Sequence, residues 1–358
     1  DYTDSTEGAL LLENSATNLI TYSEDFSNAF WLIQNASVTL NNAISPDGTL
    51  NATKLVENAS NSTHRILNSA GLTVSGNVSM SIFAKKGERN WIRLTNNNIQ
   101  GAFFDLENGI IGDVSSGFDA KIQSYGNGWY RCSISQLGVA NERIGVYIST
   151  DGINTSYQGN GTSGVYIYGA SLEQGNLSSY IPTNGSTVQR AAETCSDSGN
   201  SEVFNDSQGV LFVNHKPIIN SGTNSATTVN NGTANRVYIG NNTADENLQF
   251  FMAVGGSSKI NVLTPYPKNA YSKIAFSYKS GNSKGYVNGF QIFSDNVAFS
   301  DFTTLNKLSF NNGSTEVFEG SVKEVGYYDE ILTDEELEYM TSYRSLNEMV
   351  TELNLNAL

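Results

Sequence analysis

The stretch SIFAKKGERNWIRL, residues 81–94, joins two short alternations of apolar and polar residues through a polar turn. Successive side chains of a β-strand point to opposite faces of its sheet. In the second alternation, Ile92 and Leu94 therefore face one way, and Trp91 and Arg93 face the other. We expect two strands here, each with an apolar inner face and an outer face that carries rings and positive charge.

Similar apolar runs recur between clusters of Gly, Asn and Ser, a pattern typical of sandwiches and jelly rolls rather than βαβ units. Strands of the first half are predicted over residues 78–85, 91–95, 102–106, 129–135, 144–149 and 164–172. Strands of the second half are predicted over residues 209–215, 236–240, 248–254, 259–263, 271–278, 284–293 and 305–310. Within 284–293, Asn288-Gly289 predicts a tight hairpin. The predicted fold class is all-β, with two β-sandwich or jelly-roll domains and a short C-terminal helix.

The length of 358 residues suits two domains, each large enough to bury its own core. Periodicity is lost between the two halves, so we place the boundary there. Thr333 and Glu336 form a capping-box pattern that starts a helix, and apolar residues from Leu346 onward continue at helical spacing. This helical segment is expected either to pack on its own domain or to form a seam between copies. The predicted division is an N-terminal arm or linker (1–16), a first sandwich (17–182), a linker (183–208), a second sandwich (209–332) and a helical segment (333–358).

Composition and charge exclude several functions. The net charge is −15, which argues against nonspecific attraction to nucleic acid or anionic membranes. No apolar run reaches the roughly 18 residues of a membrane-spanning helix. Cys132 and Cys195 are too few for a disulfide scaffold or a four-thiolate zinc site; one bridge between them stays open, and two buried free thiols are the favoured expectation. His64 and His215 lack the spacing of a metal site or a catalytic triad, so no enzymatic activity is expected.

The alternation divides the first domain into an inner and an outer set of side chains. The predicted inner set is Val78, Met80, Ile82, Ile92, Leu94, Tyr130, Cys132, Ile134, Ile144, Val146 and Ile148. The predicted ligand-binding residues, on the outer side, are Lys85, Trp91, Arg93, Trp129, Arg131, Arg143 and Tyr147. If their strands share one sheet, that surface offers flat rings for stacking on sugars and guanidinium groups for hydroxyls or carboxylates. Glycans, and acidic glycans in particular, are the expected partners. The alternative is that the arginines pair with internal acids and that other parts of the protein cover the rings.

Calcium is a further expectation, as a structural cofactor of β-sandwiches with acidic loops. Asp25, after the first strand, and Glu173, at the end of the last strand of the first domain, are the predicted ligands.

Several long stretches resemble virion proteins of marine and environmental tailed phages. They include TNLITYSEDFSNAFW (17–31), SPDGTLNATKL (45–55), NGWYRCSI (127–134), GVYIYGASLEQG (164–175), SSYIPTNGSTVQRAAETCS (178–196) and GSVKEVGYYDEILTDEEL (320–337). The resemblance covers almost the whole chain. It implies a first module like a carbohydrate-binding-module jelly roll and a second like a laminin G-like or concanavalin A-like sandwich.

The resemblance also implies a place of action. Such proteins are tail fibres, head fibres or capsid decorations that attach the virion to host or environmental polysaccharide. We therefore expect a nonenzymatic adhesion protein on the virion surface that contacts other virion proteins and forms a homo-oligomer, for which a trimer is one option. Neither nucleic acid nor membrane insertion is expected. Because the chain begins directly at DYTDSTEG, an anchoring segment is expected to be absent or very short.

Two other functions stay open on the sequence. The chain could be the ancillary binding region of a secreted, extracellular polysaccharide-degrading enzyme. It could also be a purely structural decoration protein without a ligand.

Overall fold

The computed structural model describes residues 8–218, 225–241, 247–265, 270–314 and 317–353. The chain forms two compact units. The N-terminal unit is Ser15–Ala191, and the C-terminal unit is Asp1–Asn14 together with Ala192–Leu358.

The regular secondary structure of the described residues is almost entirely β, with two short helices near the C-terminus, which confirms the predicted all-β class. The strands up to the boundary are β1 Leu10–Leu12, β2 Ala16–Asn18, β3 Trp31–Gln34, β4 Ala36–Ile44, β5 Leu50–Glu57, β6 Asn61–Thr63, β7 Arg65–Asn68, β8 Asn77–Lys86, β9 Trp91–Thr95, β10 Gly101–Asp105, β11 Ile110–Val114, β12 Asp119–Ser124, β13 Trp129–Leu137, β14 Gly145–Ser149, β15 Ser156–Gln158, β16 Gly164–Gln174 and β17 Val188–Arg190. The later elements are β18 Gln208–Pro217, β19 Ala226–Asn230, β20 Arg236–Asn241, β21 Leu248–Val254, β22 Ser257–Thr264, β23 Ser272–Lys279, β24 Ser283–Val287, β25 Phe290–Asp295, β26 Lys307–Ser309, β27 Gly320–Tyr328, α1 Asp334–Thr341 and α2 Leu346–Glu352.

The N-terminal unit is a sandwich of two six-stranded antiparallel sheets. Sheet 1 has the order β11-β10-β9-β14-β7-β3, and sheet 2 has the order β12-β13-β8-β16-β5-β4. Their inner faces enclose one core, which contains every member of the predicted inner set except Tyr130 as a buried residue. Tyr130 is half-buried and packs against that core. The alternation therefore predicted the inward side of each of these strands correctly.

Ten strands of this unit escaped the sequence prediction: β2, β3, β4, β5, β6, β7, β11, β12, β15 and β17. Most of the residues of β4 and β11 are exposed, so these edge strands lack the apolar alternation that marks a half-buried strand.

The C-terminal unit is a second sandwich. Sheet 3 has the order β1-β27-β18-β23-β24-β25, and sheet 4 has the order β22-β21-β20-β19-β26. Phe250 and Phe276 lie fully buried in its core, with ring centroids 5.6 Å apart. The hairpin at Asn288-Gly289 is confirmed: both residues have positive φ, 51° and 87°, as a tight turn between β24 and β25 requires.

The boundaries of the two units differ from the division predicted from the sequence, because the first residues of the chain belong to the C-terminal unit. Leu10–Leu12, which the sequence placed in an N-terminal arm, pairs with β27 as the edge strand of sheet 3. Val188–Arg190, placed in the linker, pairs with β2 of the N-terminal unit. Both segments are three residues long, and such short runs carry no detectable periodicity of their own.

The C-terminal segment packs on its own unit. The capping box is confirmed, with Thr333 accepting from the Glu336 amide and Glu336 accepting from the Thr333 amide. Leu337 of α1 is fully buried against sheet 3. In α2, Glu348 pairs with Lys273 at 2.6 Å. These contacts favour the reading in which the segment completes its own domain, although Leu346 stays exposed.

The two cysteines do not form a disulfide bond with each other. Both thiols are free, with Cys132 buried and Cys195 half-buried. Burial raises the pKa of the Cys132 thiol far above its ordinary value.

Neither α1 nor α2 has the length or the apolar run needed to cross a bilayer, within the ranges that the structure covers.

Candidate functional site

The predicted ligand-binding residues do not form one surface. Trp91 and Arg93 lie on β9 and Tyr147 on β14, all in sheet 1, with Arg143 two residues before β14. Lys85 on β8 and the pair Trp129 and Arg131 on β13 belong to sheet 2. The expectation that these strands share one sheet is wrong. Since both sheets direct their apolar faces into one core, their outer faces point away from each other, and the predicted patch is divided between them.

The half on sheet 2 is covered by protein. Trp129 is only 1% exposed, and its Nε1 donates to the Ile44 carbonyl at 2.9 Å. Arg131 is 5% exposed and donates to Ser81 Oγ at 3.1 Å and to the Ser178 carbonyl at 2.8 Å. Lys85 is half-buried. The prediction that Trp129 and Arg131 are available to a ligand is therefore wrong.

A cluster of aromatic rings explains this burial. Phe83, on the outer side of β8, contacts Tyr125 and Tyr180 edge-on, at centroid distances of 4.9 and 5.6 Å. Tyr168 packs into the same cluster, and its hydroxyl donates to carboxylates of Glu24 and Asp47. The outer face of sheet 2 thus carries a second, smaller core of the N-terminal unit.

The predicted ligand-binding residues on sheet 1 lie on a face that is partly open to solvent and regularly arranged. Cross-strand register places five side chains in one row over β10, β9, β14, β7 and β3. The row is Phe103, Arg93, Tyr147, Arg65 and Gln34. Directly opposed residues of neighbouring strands share a face, so these side chains lie next to one another. We call this row the arginine row.

Guanidinium groups lie over rings in the arginine row. The Arg93 Cζ is 4.9 Å from the Phe103 ring centroid, and the Arg65 Cζ is 5.0 Å from the Tyr147 ring centroid. Phe103 and Tyr147 are buried, at 4% and 2% exposure, while both arginines are half-buried. The layer that meets solvent is therefore guanidinium, with the rings beneath it. The expectation that Tyr147 is an exposed ring is wrong, because its cross-strand neighbours cover it.

The two arginines are held in place by neutral partners. Arg65 donates from Nε to Gln34 Oε1 at 2.6 Å and from Nη1 to the Tyr147 hydroxyl. Arg93 donates from Nη2 to Ser115 Oγ at a long 3.4 Å. Burial lowers the pKa of Arg93, while Tyr147 and Asp113 act in the opposite direction; an arginine nevertheless stays charged.

These arginine side chains form no ion pair within the described ranges, and Asp113 acts on Arg93 only through its charge. None of the guanidinium groups of Arg65, Arg93 and Arg143 has a carboxylate oxygen within 4.0 Å there. The Nε atoms of Arg93 and Arg143 are buried and lack a hydrogen-bond partner in the same part of the chain. Alternation carried back from Tyr147 puts Arg143 on the side of the arginine row. The sheet 1 face therefore concentrates positive charge in an acidic chain.

Trp91 borders the arginine row and is fixed by two glycines. A Cβ added at Gly152 would lie 2.6–2.7 Å from three atoms of the indole, and one at Gly112 would lie 3.0 Å from it. The backbone therefore packs closely against the ring, which stays half-buried. Trp91 forms a wall of the face and is not a fully open stacking platform.

The predicted calcium ligands occupy hydrogen-bonded positions. Glu173 is fully buried and accepts from the hydroxyls of Ser171 and Ser178, each at 2.6 Å. Asp25 accepts from the amide and hydroxyl of Ser27. Among the described residues, no three His, Cys, Asp or Glu side chains are grouped closely enough to hold a metal ion. Calcium binding by Asp25 and Glu173 stays a prediction.

Sequence reasoning missed Arg65, Phe103, Gln34 and Ser115 as members of this face. Phe103 lies in the outward register of a predicted strand and could have been found by alternation. Arg65 and Gln34 lie on β7 and β3, four-residue strands that gave no periodic signal. Their position follows only from pairing with β14 and with each other.

Comparisons with known proteins give distant likenesses to solved structures. A carbohydrate-binding module, CBM40, of the Ruminococcus gnavus IT-sialidase bound to α2,3 sialyllactose is 15% identical, with 42% of this chain and 97% of that chain covered and a TM-score of 0.34. Domain 4 of a GH43 extracellular arabinanase from Geobacillus stearothermophilus, in complex with arabinotriose, is 19% identical, with 44% and 74% covered and a TM-score of 0.32. Domains LG4-5 of the mouse laminin α1 chain are 12% identical, with 75% and 86% covered and a TM-score of 0.29.

No curated protein matches the chain. A family model does match its second half, over residues 216–338. This model, a laminin G type, is described as the concanavalin A-like lectin/glucanases superfamily. Residues 216–338, which lie in the C-terminal unit, are therefore similar to this superfamily.

Proposed function

We propose that the protein is a nonenzymatic glycan-binding protein whose N-terminal unit binds acidic polysaccharide on the outer face of sheet 1. The arginine row carries this proposal. It presents guanidinium groups that are half-buried, held in place and without a carboxylate ion-pair partner in the described residues.

The chemistry of the row favours carboxylates or sulfates over neutral hydroxyls. A guanidinium group binds a carboxylate through two parallel hydrogen bonds, and charge-assisted hydrogen bonds are roughly twice as strong as neutral ones. Stacking on Phe103 and Tyr147 restricts the arginine rotamers before the ligand arrives, so less side-chain entropy is lost on binding. The rings serve here as supports for the guanidinium groups.

The net charge of −15 repels polyanions at long range, so the attraction must be local. At physiological ionic strength, charges more than about 8 Å apart are largely screened, and distant acids weaken the site little. Binding should therefore depend on the arginine row and decrease as salt is added.

Replacing Arg93 or Arg65 with Met is expected to weaken binding of acidic oligosaccharides about tenfold or more, since a hydrogen bond to a charged group is worth about 1.5–3 kcal/mol. Met keeps an apolar stem over the ring and removes only the charged fork. Isothermal titration calorimetry with oligogalacturonate, oligoalginate and hyaluronan oligosaccharides measures the loss.

Two controls isolate the charge. Methyl-esterified oligogalacturonate keeps the sugar rings without the carboxylates, and should bind weakly to every variant. Arg344→Met removes an exposed arginine from the C-terminal unit and should leave affinity unchanged. Equal affinity of the parent and the Arg93→Met protein for every acidic ligand would contradict the proposal, provided both melt at the same temperature.

The place of action is proposed from the resemblance to phage virion proteins. Repetition of the protein by particle symmetry would let weak sites act together, since linked sites can raise avidity by about 10²–10⁴. Labelling purified particles with an antibody to this chain, followed by electron microscopy, tests the location. Particles without label would remove the virion assignment and leave the glycan site untouched.

The alternative is an ancillary binding region of a polysaccharide-degrading enzyme, favoured by the family description, which includes glucanases. Assays for new reducing ends and unsaturated products with the purified chain, and with any longer natural form, separate the two. A ligand-free structural decoration protein would bind none of the acidic or neutral glycans.

A further inference from the structure

The outer face of sheet 4, in the C-terminal unit, carries a small cavity of about 90 Å³. It is lined by Arg236, Tyr238, Gln249, Phe251 and Asn312. On β20 and β21, Val237, Ile239, Phe250 and Met252 lie in the core. Their alternate neighbours therefore face outward, and the cavity lies on the solvent side of the sheet.

Aromatic rings form the floor of this cavity. Tyr238 and Phe251 are direct cross-strand partners with ring centroids 6.2 Å apart and nearly perpendicular planes. Tyr238 is 3% exposed, whereas Phe251 is half-buried and reaches solvent. The Arg236 Cζ lies 4.9 Å from the Phe251 centroid and 5.7 Å from the Tyr238 centroid. Its Nη1 donates to the Asn312 carbonyl, which fixes the plane of the guanidinium beside the rings.

Two amide side chains complete the face next to the Phe251 ring. Asn261 is the cross-strand partner of Phe251 on β22, and its Oδ1 accepts from Gln249 Nε2 at 2.7 Å. This bond leaves Gln249 Oε1 as an acceptor and Asn261 Nδ2 as a donor, neither of them used by another described residue. An adjacent acceptor and donor match two neighbouring hydroxyl groups, each of which can donate and accept.

We propose that this face is a second sugar site, which binds a neutral pyranose through a pair of vicinal hydroxyls. The Phe251 ring would contact the apolar face of the sugar, and Gln249 and Asn261 would bind its hydroxyls. The cavity is too small for a whole ring and suits one exocyclic group. A few convergent polar groups around an aromatic surface are the usual composition of small-ligand sites. This site is independent of the arginine row and differs from it in ligand charge.

The test uses saturation-transfer NMR on the full chain with the methyl α-pyranosides of galactose, mannose and glucose. We expect transfer to at least one of them, and a loss of affinity of about tenfold in Phe251→Ala and in Gln249→Leu. Phe290→Ala removes a 74% exposed ring from sheet 3 and should bind as the parent does. Arg93→Met should also bind normally, which separates this site from the arginine row.

Fluorescence distinguishes the sites further. The tryptophans are Trp31, Trp91 and Trp129, all in the N-terminal unit. A ligand of the second site should leave their emission unchanged, while a ligand of the arginine row should perturb Trp91. Absence of transfer to all three pyranosides, or parental affinity in both Phe251→Ala and Gln249→Leu, would overturn the second site without affecting the first.

Discussion

Trp129→Ala is expected to lower the free energy of unfolding of the N-terminal unit by about 3–5 kcal/mol, the usual cost of truncating a buried large aromatic residue. Trp129 is 1% exposed, packs with Phe83 and Tyr168, and donates a hydrogen bond to Ile44. Its removal leaves a cavity in the cluster that Trp129 forms with Phe83 and Tyr168 on the outer face of sheet 2. Urea unfolding, followed by emission of the remaining tryptophans, measures the change in this unit alone.

Trp91→Ala provides the matched comparison, because both substitutions remove an indole from an outward position of the same sandwich. Trp91 is half-buried, so its loss should cost clearly less stability. Trp129→Phe should recover most of the packing and lose chiefly the hydrogen bond, worth about 1 kcal/mol. Equal destabilisation by Trp91→Ala and Trp129→Ala would contradict the assignment of Trp129 to a second core.

Glu57→Gln is expected to cost about 3 kcal/mol, the lower end of the range for breaking a buried ion pair. The Glu57 side chain is fully buried, and that of Arg89 is 23% exposed. Arg89 donates to both carboxylate oxygens, at 2.9 and 2.6 Å, and Tyr157 and the Asn160 amide donate at 2.6 and 2.9 Å. Gln keeps the size of the side chain but leaves Arg89 without its counter-charge.

The cost of Glu57→Gln should depend on pH. Burial alone would raise the pKa of Glu57, but hydrogen bonds from Arg89, Tyr157 and Asn160 outweigh burial and lower it from its ordinary value of 4.5. A carboxyl group with a lowered folded pKa adds stability above its unfolded pKa and loses it as pH falls through the folded one. The parent should exceed the variant in free energy of unfolding by the full amount above about pH 5. This difference should shrink as the pH is lowered toward 3.

Urea unfolding at pH 7, 5, 4 and 3 measures this difference. A double-mutant cycle with Arg89→Met separates the pair from the remaining hydrogen bonds. A cost that stays constant over the whole range would show that Glu57 acts through packing and not through its charge.

For the candidate site, the sequence predicted which side chains point outward but not which of them share a sheet or stay exposed. Alternation correctly turned Trp91, Arg93, Trp129 and Arg131 away from the apolar core of the N-terminal unit. It could not tell that β9 and β13 belong to different sheets, because pairing depends on residues far apart in the chain. It also could not show what lies above each outer face, which decides whether an outward residue is exposed.

The outer face of sheet 2 shows why alternation cannot predict whether an outward side chain is exposed. The rings that cover Trp129 and Phe83 include Tyr168 and Tyr180, and Glu24 and Asp47 fix Tyr168 from two other segments. Each segment reads as an ordinary polar loop or strand. Only their convergence in space produces a second core.

The sequence by itself determined the all-β class, the inward side of four strands of the N-terminal unit, the Asn288-Gly289 hairpin and the capped helix at Thr333. These features depend on side-chain alternation and on backbone preferences within a few neighbouring residues. The tertiary structure alone decided which outer face stays open and which arginines stand together. The arginine row joins five strands drawn from residues 31–149, and such long-range pairing leaves no local signature in the chain.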